Sequence, residues 1–256
     1  MSTPAGRLAV YLEVTPRRTF ASAVDWPGWS RSGKTEAAAI EALLTSAPRY
    51  ARVTARTPGG QGLRIPASGF QVEVVARLSG NATTDFGAPA QPAPTDEGPI
   101  SAVELEHLQT ILISAWRAFD AAAAAAGTRP LRKGPRGGGR ETAAIVDHVR
   151  EAEAAYLVKV GGSARGLADA ADPMAEVRHR ALEALRARAR GAGAVGEDVD
   201  PRRWSARYFV RRSAWHALDH AWEIEDRSRP DPGRRRSGGV GQGDVQPPVG
   251  SAELRR

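Results

Sequence analysis

The sequence predicts an α+β protein: a small N-terminal β-β-α-β module, then an antiparallel four-helix bundle, then a disordered C-terminal tail. Three observations predict it. Alternating apolar segments are confined to the first 78 residues, four helix-length segments with start and stop signals fill 101–226, and Arg, Gly and Pro dominate from 227 onward. Leu8 to Val14 is apolar and partly alternating, and Thr19 to Val24 pairs with it as a hairpin across the turn Thr15–Arg18. Trp26-Pro27-Gly28-Trp29-Ser30 reads as a turn. Thr35 caps a helix that runs to about Ala47, where Pro48 comes next. Phe70 to Leu78 alternates and closes the module at residue 78. Residues 79–100, with Gly87, Pro89, Pro92, Pro94, Gly98 and Pro99, read as a linker. The first bundle helix opens with Ser101 and Glu104 in capping-box spacing and ends at Gly127. The second spans about Glu141 to Val160 and stops at Gly161-Gly162. Asp172-Pro173 opens the third, which ends near Gly191, and the fourth runs from about Ser205 to Asp226. Four such helices joined by loops suggest an antiparallel bundle at 101–226. Residues 227–256 hold few aliphatic side chains and are expected to be disordered.

Composition narrows the function classes. The 256 residues include no Cys, which excludes disulfides, Cys-ligated zinc and a cysteine nucleophile. No run of about 18 apolar residues exists and no secretory signal is evident, so a cytoplasmic protein without membrane partners is expected. The formal net charge is +7, and the pI is near 10.4. The tail from Arg227 contributes seven Arg against three acids, hence +4 of that excess. Arg129, Arg132, Lys133, Arg136 and Arg140 form a second basic cluster. Neither is interleaved with aromatic residues that stack on bases, so each reads as a solvated charge run, with nucleic acid or another polyanion as the competing partner.

The chemistry-bearing residues are histidines. His216 and His220, in WHALDHAWEIED, are four apart on the fourth helix. That spacing places two imidazoles on one face, about 5–6 Å apart at Cβ, within reach of one metal ion. The pair lies beside the apolar stripe of Val210, Ala214, Ala217, Leu218, Ala221 and Ile224, sharing its own stripe with Phe209, Arg212, Ser213, Glu223 and Arg227. The placement allows two readings: an exposed polar face with solvated rings, or a site at the rim of the bundle open to substrate. His148, in DHVREAE, falls among Ala144, Ile145, Ala152, Ala155 and Tyr156 on the apolar face of the second helix, where small residues leave room for it to meet the pair. His179, between two arginines, faces solvent, and His107 carries no ligand pattern.

The order and spacing of His148, His216 and His220 resemble the DinB/YfiT-like family of four-helix bundles, over about residues 101–226. Members carry one His on the second helix and an HxxxH pair on the last. The resemblance implies a divalent metal on the three imidazoles and, in some members, metal-dependent transfer or isomerisation with a low-molecular-weight thiol such as mycothiol or bacillithiol. The N-terminal strand pair, PGW and EAAAIEALL resemble, more weakly, HicB-like antitoxin domains.

On three neutral imidazoles Zn²⁺ is the default ion, with Ni²⁺, Co²⁺ and Fe²⁺ as alternatives. An open position there activates water or a thiol, and with no Cys in this chain the thiol is external. Glu151 and Glu223, each three residues after a His, are the candidates to orient the rings. Arg212, one turn before His216, is the candidate for a substrate carboxylate or the acid group of a thiol cofactor, with a surface cation as the competing reading. The expectation is therefore a metal-dependent enzyme acting on a small molecule by transfer, isomerisation or hydrolysis. The alternative is a non-catalytic stress or regulatory protein that contacts a partner or nucleic acid through the N-terminal module and basic tail. Either leaves a homodimer open.

Overall fold

A computed structural model describes residues 6–55, 62–66, 69–133, 139–191 and 203–228. It is α+β, with a four-stranded sheet followed by helices. The strands are β1 (Arg7–Val14), β2 (Thr19–Ala23), β3 (Ser30–Gly33) and β4 (Gln71–Ser79), in the order β3-β2-β1-β4. β1 and β2 form the expected hairpin, with Val10 opposite Ala23 and Val14 opposite Thr19. Thr15 closes the turn, its backbone N–H donating to the Arg18 carbonyl at 2.9 Å. β4 pairs in parallel with β1, and a register shift between Val10 and Tyr11 leaves Val75 as a bulge.

The module corrects the expected β-β-α-β order. β3 is an additional strand, antiparallel to β2, at the end of the segment read as a turn. Its sequence SRSG is short and polar, so no alternation announces it. Two helices come next, α1 (Glu36–Thr45) and α2 (Ala47–Thr54). Thr35 caps α1 as expected, accepting from the Ala38 N–H at 3.2 Å. Pro48, read as a stop, stands in the first turn of α2, where its missing N–H has no partner to lose. Trp29 fixes the two helices to the sheet. Its indole donates to the Leu43 carbonyl and Ser46 hydroxyl, and its ring stacks on Tyr50 at 5.4 Å.

Residues 79–100 are docked to the protein along most of their length. Asn81 caps the short helix α3 (Ala82–Phe86). The Glu13 carboxylate on β1, fully buried, accepts the N–H groups of Ala90 and Gln91 and the Thr84 hydroxyl. Asp96, also buried, pairs with Arg211 at 2.8 Å. These charged anchors carry no local sequence signal.

The bundle helices are α4 (Ala102–Ala126), α5 (Thr142–Val160), α6 (Pro173–Gly191) and α7 (Ala206–Ser228). Ser101 caps α4 by accepting from the Glu104 N–H, but the Glu104 carboxylate pairs with Arg207 on α7, so half of the capping box is spent elsewhere. Gly161 ends α5 with φ +103, and the Asp172 carboxylate caps α6. The directions amend a purely antiparallel bundle. Glu104 meets Arg207 where α4 and α7 begin, and Arg132 just past α4 meets the carbonyl of Asp226 at the end of α7, so these two helices run parallel. α5 runs against α7, with His148 near His220 and Tyr156 near Trp204.

One hydrophobic core runs from the sheet into the helices. Gly28, with φ +88, lies against α7 so closely that a Cβ would sit 2.7 Å from the Ala214 Cβ. α7 is buried around most of its circumference. It extends through Arg227 and Ser228, which belong to the helix and not to the tail. Residues 229–256, expected to be disordered, and Arg136 of the basic cluster lie outside the described residues. Among the described residues, no helix is long and apolar enough to cross a membrane.

Candidate metal centre

Three imidazoles from two helices converge. α5 carries His148, and α7 carries His216 and His220 one turn apart. One ligand nitrogen from each lies within 4.8 Å of the other two. The ring centroids are 5.2 Å (His148–His216), 5.0 Å (His148–His220) and 4.6 Å (His216–His220) apart, all near edge-to-face. Two tetrahedral ligands at 2.0–2.1 Å from an ion stand roughly 3.4 Å apart, so closure asks for movements of about an ångström, within the reach of ring rotation.

The environment favours neutral, ligand-ready rings. His216 is 6% exposed, and burial pushes its pKa well below the usual value, with His220, Arg212, His148 and Arg140 adding in the same direction. His148 is also lowered, first by burial and then by His220 and Arg140. His216 Nδ1 is shut off from solvent and has no hydrogen-bond partner among the described residues. An unsatisfied buried nitrogen costs about 1–3 kcal/mol unless something outside the chain meets it. That orphaned atom, set among two other imidazoles, fits a metal ion.

Glu223 orients His220. Its Oε2 lies 2.9 Å from His220 Nδ1, which leaves Nε2 as that ring's open nitrogen, and its Oε1 accepts from Arg227 at 2.8 Å. These bonds hold the Glu223 carboxyl below its usual pKa, the His220 contact foremost. Glu151 is exposed and acts on His148 only through space, so of the two candidate orienting acids the structure brings Glu223 into contact. Asp147 pairs with Arg150 and Asp219 with Arg31. Arg212 lies over the rings of Trp215 (4.8 Å) and Tyr156 (5.5 Å), and the Tyr156 ring is 5.7 Å from His216. His179 is exposed and His107 packs edge-on against Trp26, so neither joins the cluster.

Two local readings change. His216 is not on a solvated face, because α4 and α5 pack on α7 and Phe20 of β2 and Gly28 close on it from the sheet side. On α5 the buried stripe is Ile145, Val149, Glu153 and Leu157, while Ala144 and Ala155 are exposed and His148 is half-buried beside that stripe. Sequence reasoning sets Tyr156, about two helical turns after His148, on the face of that His, but makes neither it nor Trp215 a wall of the site. A cleft of about 460 Å³ lined by Arg31, Glu41, Arg49 and Trp222 lies at the junction of α1, α2 and α7 and does not include the imidazoles. No family model, curated protein or solved structure matches the chain.

Proposed function

We propose that the protein is a divalent-metal-dependent enzyme of the DinB/YfiT-like type, acting on a small molecule by transfer, isomerisation or hydrolysis. The observation that carries this reading is the convergence of His148, His216 and His220 with their ligand nitrogens within 4.8 Å. A bound ion, Zn²⁺ by default, would supply Lewis-acid activation of water or of an external low-molecular-weight thiol. His148 and His216 are held neutral by burial and by neighbouring cations, as ligands require. Glu223 fixes the tautomer of His220 and strengthens its open nitrogen as a donor. Trp215 and Tyr156 wall the site with apolar surface and limit water. The absence of Cys means that any thiol in the reaction comes with the substrate or a cofactor.

Elemental analysis of purified, untagged protein tests the proposal. Near one equivalent of a transition metal in the wild type, lost in His216→Ala, is the expected result. No metal in the wild type after reconstitution with Zn²⁺, Ni²⁺, Co²⁺ and Fe²⁺ overturns it.

A further inference from the structure

Six arginines that reach inward each meet a carboxylate. Arg31 pairs with Asp219, Arg49 with Glu225 and Asp226, Arg178 with Glu153 and Asp120, Arg207 with Glu104, Arg211 with Asp96, and Arg227 with Glu223. The cost of drawing a guanidinium out of water demands such partners. Two other half-buried arginines meet neutral acceptors, Arg18 the Ser32 hydroxyl and Arg188 the Trp204 carbonyl, and among the described residues Arg212 meets neither kind. Its Nη1 is closed to solvent and has no hydrogen-bond partner, and no carboxylate among the described residues pairs with it. Its neighbours are the faces of Trp215 and Tyr156, which hold the guanidinium by cation–π contact and supply no acceptor for its N–H groups. The Tyr156 ring is also a neighbour of His216, and Arg212 stands one turn before His216 on the same face of α7.

We propose that Arg212 receives the carboxylate of an anionic substrate whose reacting end lies at His148, His216 and His220. This rests on the proposed metal site and adds the substrate's chemical class, a small organic acid. The carboxylate takes at Arg212 the place that Asp and Glu take at those six arginines. A guanidinium presents parallel N–H groups that match both carboxylate oxygens, and the aromatic walls exclude competing water. The surrounding charge agrees. Arg212 brings a guanidinium beside the cluster through the shared Tyr156 ring, while the acid in contact with the cluster, Glu223, is already shared by His220 and Arg227. The cluster is therefore short of negative charge before any ion is added, and a divalent ion deepens that deficit.

The test uses the full chain loaded with Co²⁺, whose visible absorption reports ligands near the ion, and malonate as the probe at constant ionic strength. Wild type, Arg212→Met and Arg212→Lys are compared, with Co²⁺ content measured on each. Saturable spectral change is expected in wild type, weakened about tenfold or more in Arg212→Met at equal Co²⁺ content, with Arg212→Lys between them. Equal malonate affinity in wild type and Arg212→Met, or no response of loaded wild type to malonate, overturns the inference. Failure of the wild type to retain Co²⁺ sinks the metal reading instead, and the anion site is then read on the metal-free proteins. There, a malonate-dependent rise in Tm in wild type that Arg212→Met lacks sustains it. The same rise in both, or none in either, overturns it.

Discussion

Replacing Glu223 by Ala is expected to weaken Zn²⁺ binding about 10- to 100-fold, the usual loss when the outer partner of a ligating His is removed. That range equals about 1.4–2.8 kcal/mol of binding free energy. The structure says why it should appear. Glu223 Oε2, 2.9 Å from His220 Nδ1, selects the tautomer that leaves Nε2 open, and the carboxylate's charge raises the basicity of the ring. Its pKa is held below the usual value, so the charge is present throughout the neutral range. Arg227 loses its acid in this variant but keeps the Arg132 carbonyl at 2.7 Å, so the end of α7 stays tied down. Glu223→Gln keeps an acceptor without the charge and should fall between wild type and Ala. Glu151→Ala is the internal control, because Glu151 is exposed and reaches His148 only through space. Affinities are read by competition against a chromophoric chelator at neutral pH. Zn²⁺ affinity in Glu223→Ala within about threefold of wild type, or a loss in Glu151→Ala as large as in Glu223→Ala, would refute the reasoning.

The packing and the buried charges set three further outcomes. Asp96→Ala strands Arg211 without its acid in a fully buried position and should cost about 3–5 kcal/mol in urea unfolding, with a loss below about 1 kcal/mol showing that the pair does not anchor residues 79–100. Gly28→Ala combines φ +88 with a Cβ 2.7 Å from Ala214, and a drop in stability of about 2 kcal/mol or more is expected by thermal unfolding, with an unchanged Tm as the contrary result. The third concerns pH. The pKa of His216 is lower in the folded than in the unfolded chain, so its contribution is fully present above about pH 6.5 and is lost as pH falls from there toward the folded value. Measured metal-free, wild type should lose stability relative to His216→Asn by up to about 1.4 kcal/mol per pH unit in that window. Taking the difference removes groups common to both proteins, such as buried Glu153, whose pKa is pushed up to about 7. Parallel profiles for the two proteins would contradict the sign.

What the sequence makes legible is local. Ser101, Gly161 and Asp172-Pro173 mark helix ends by chemistry that acts within a turn, and each does so here. The β1–β2 hairpin and β4 announce themselves by apolar alternation. β3 does not, because its four residues are selected by pairing with β2 and by the approach of α1, where a Cβ on Gly33 would strike the Ala38–Ala39 backbone. Pro48 could be read either as a stop or as a helix start, and the choice depends on tertiary packing around Trp29 and Tyr50. Residues 79–100 have linker composition, yet Glu13 and Asp96 bind their backbone and fasten them to β1 and α7. Those carboxylates act on partners up to 115 residues away in the chain, so no local window reveals them.

The site shows the same division at closer range. The HxxxH spacing and the placement of His148 are enough to name the three residues that meet. The periodicity of α7 misleads, because the argument from an apolar stripe assumes that the opposite face meets water. α7 instead lies largely inside, and Arg211, Ser213, His216 and Arg227 are buried with it. On such a helix a charged side chain is a statement about a partner: Arg207, Arg211 and Arg227 find theirs in Glu104, Asp96 and Glu223. Polarity that by periodicity marks a solvated face is here a set of internal pairings. Among the described residues Ser213 Oγ and Trp215 Nε1 are also buried on α7 without a partner, but His216 Nδ1 and Arg212 Nη1 belong to residues one turn apart, beside two more imidazoles. An ion held by the rings and a carboxylate held by the arginine would satisfy both at once.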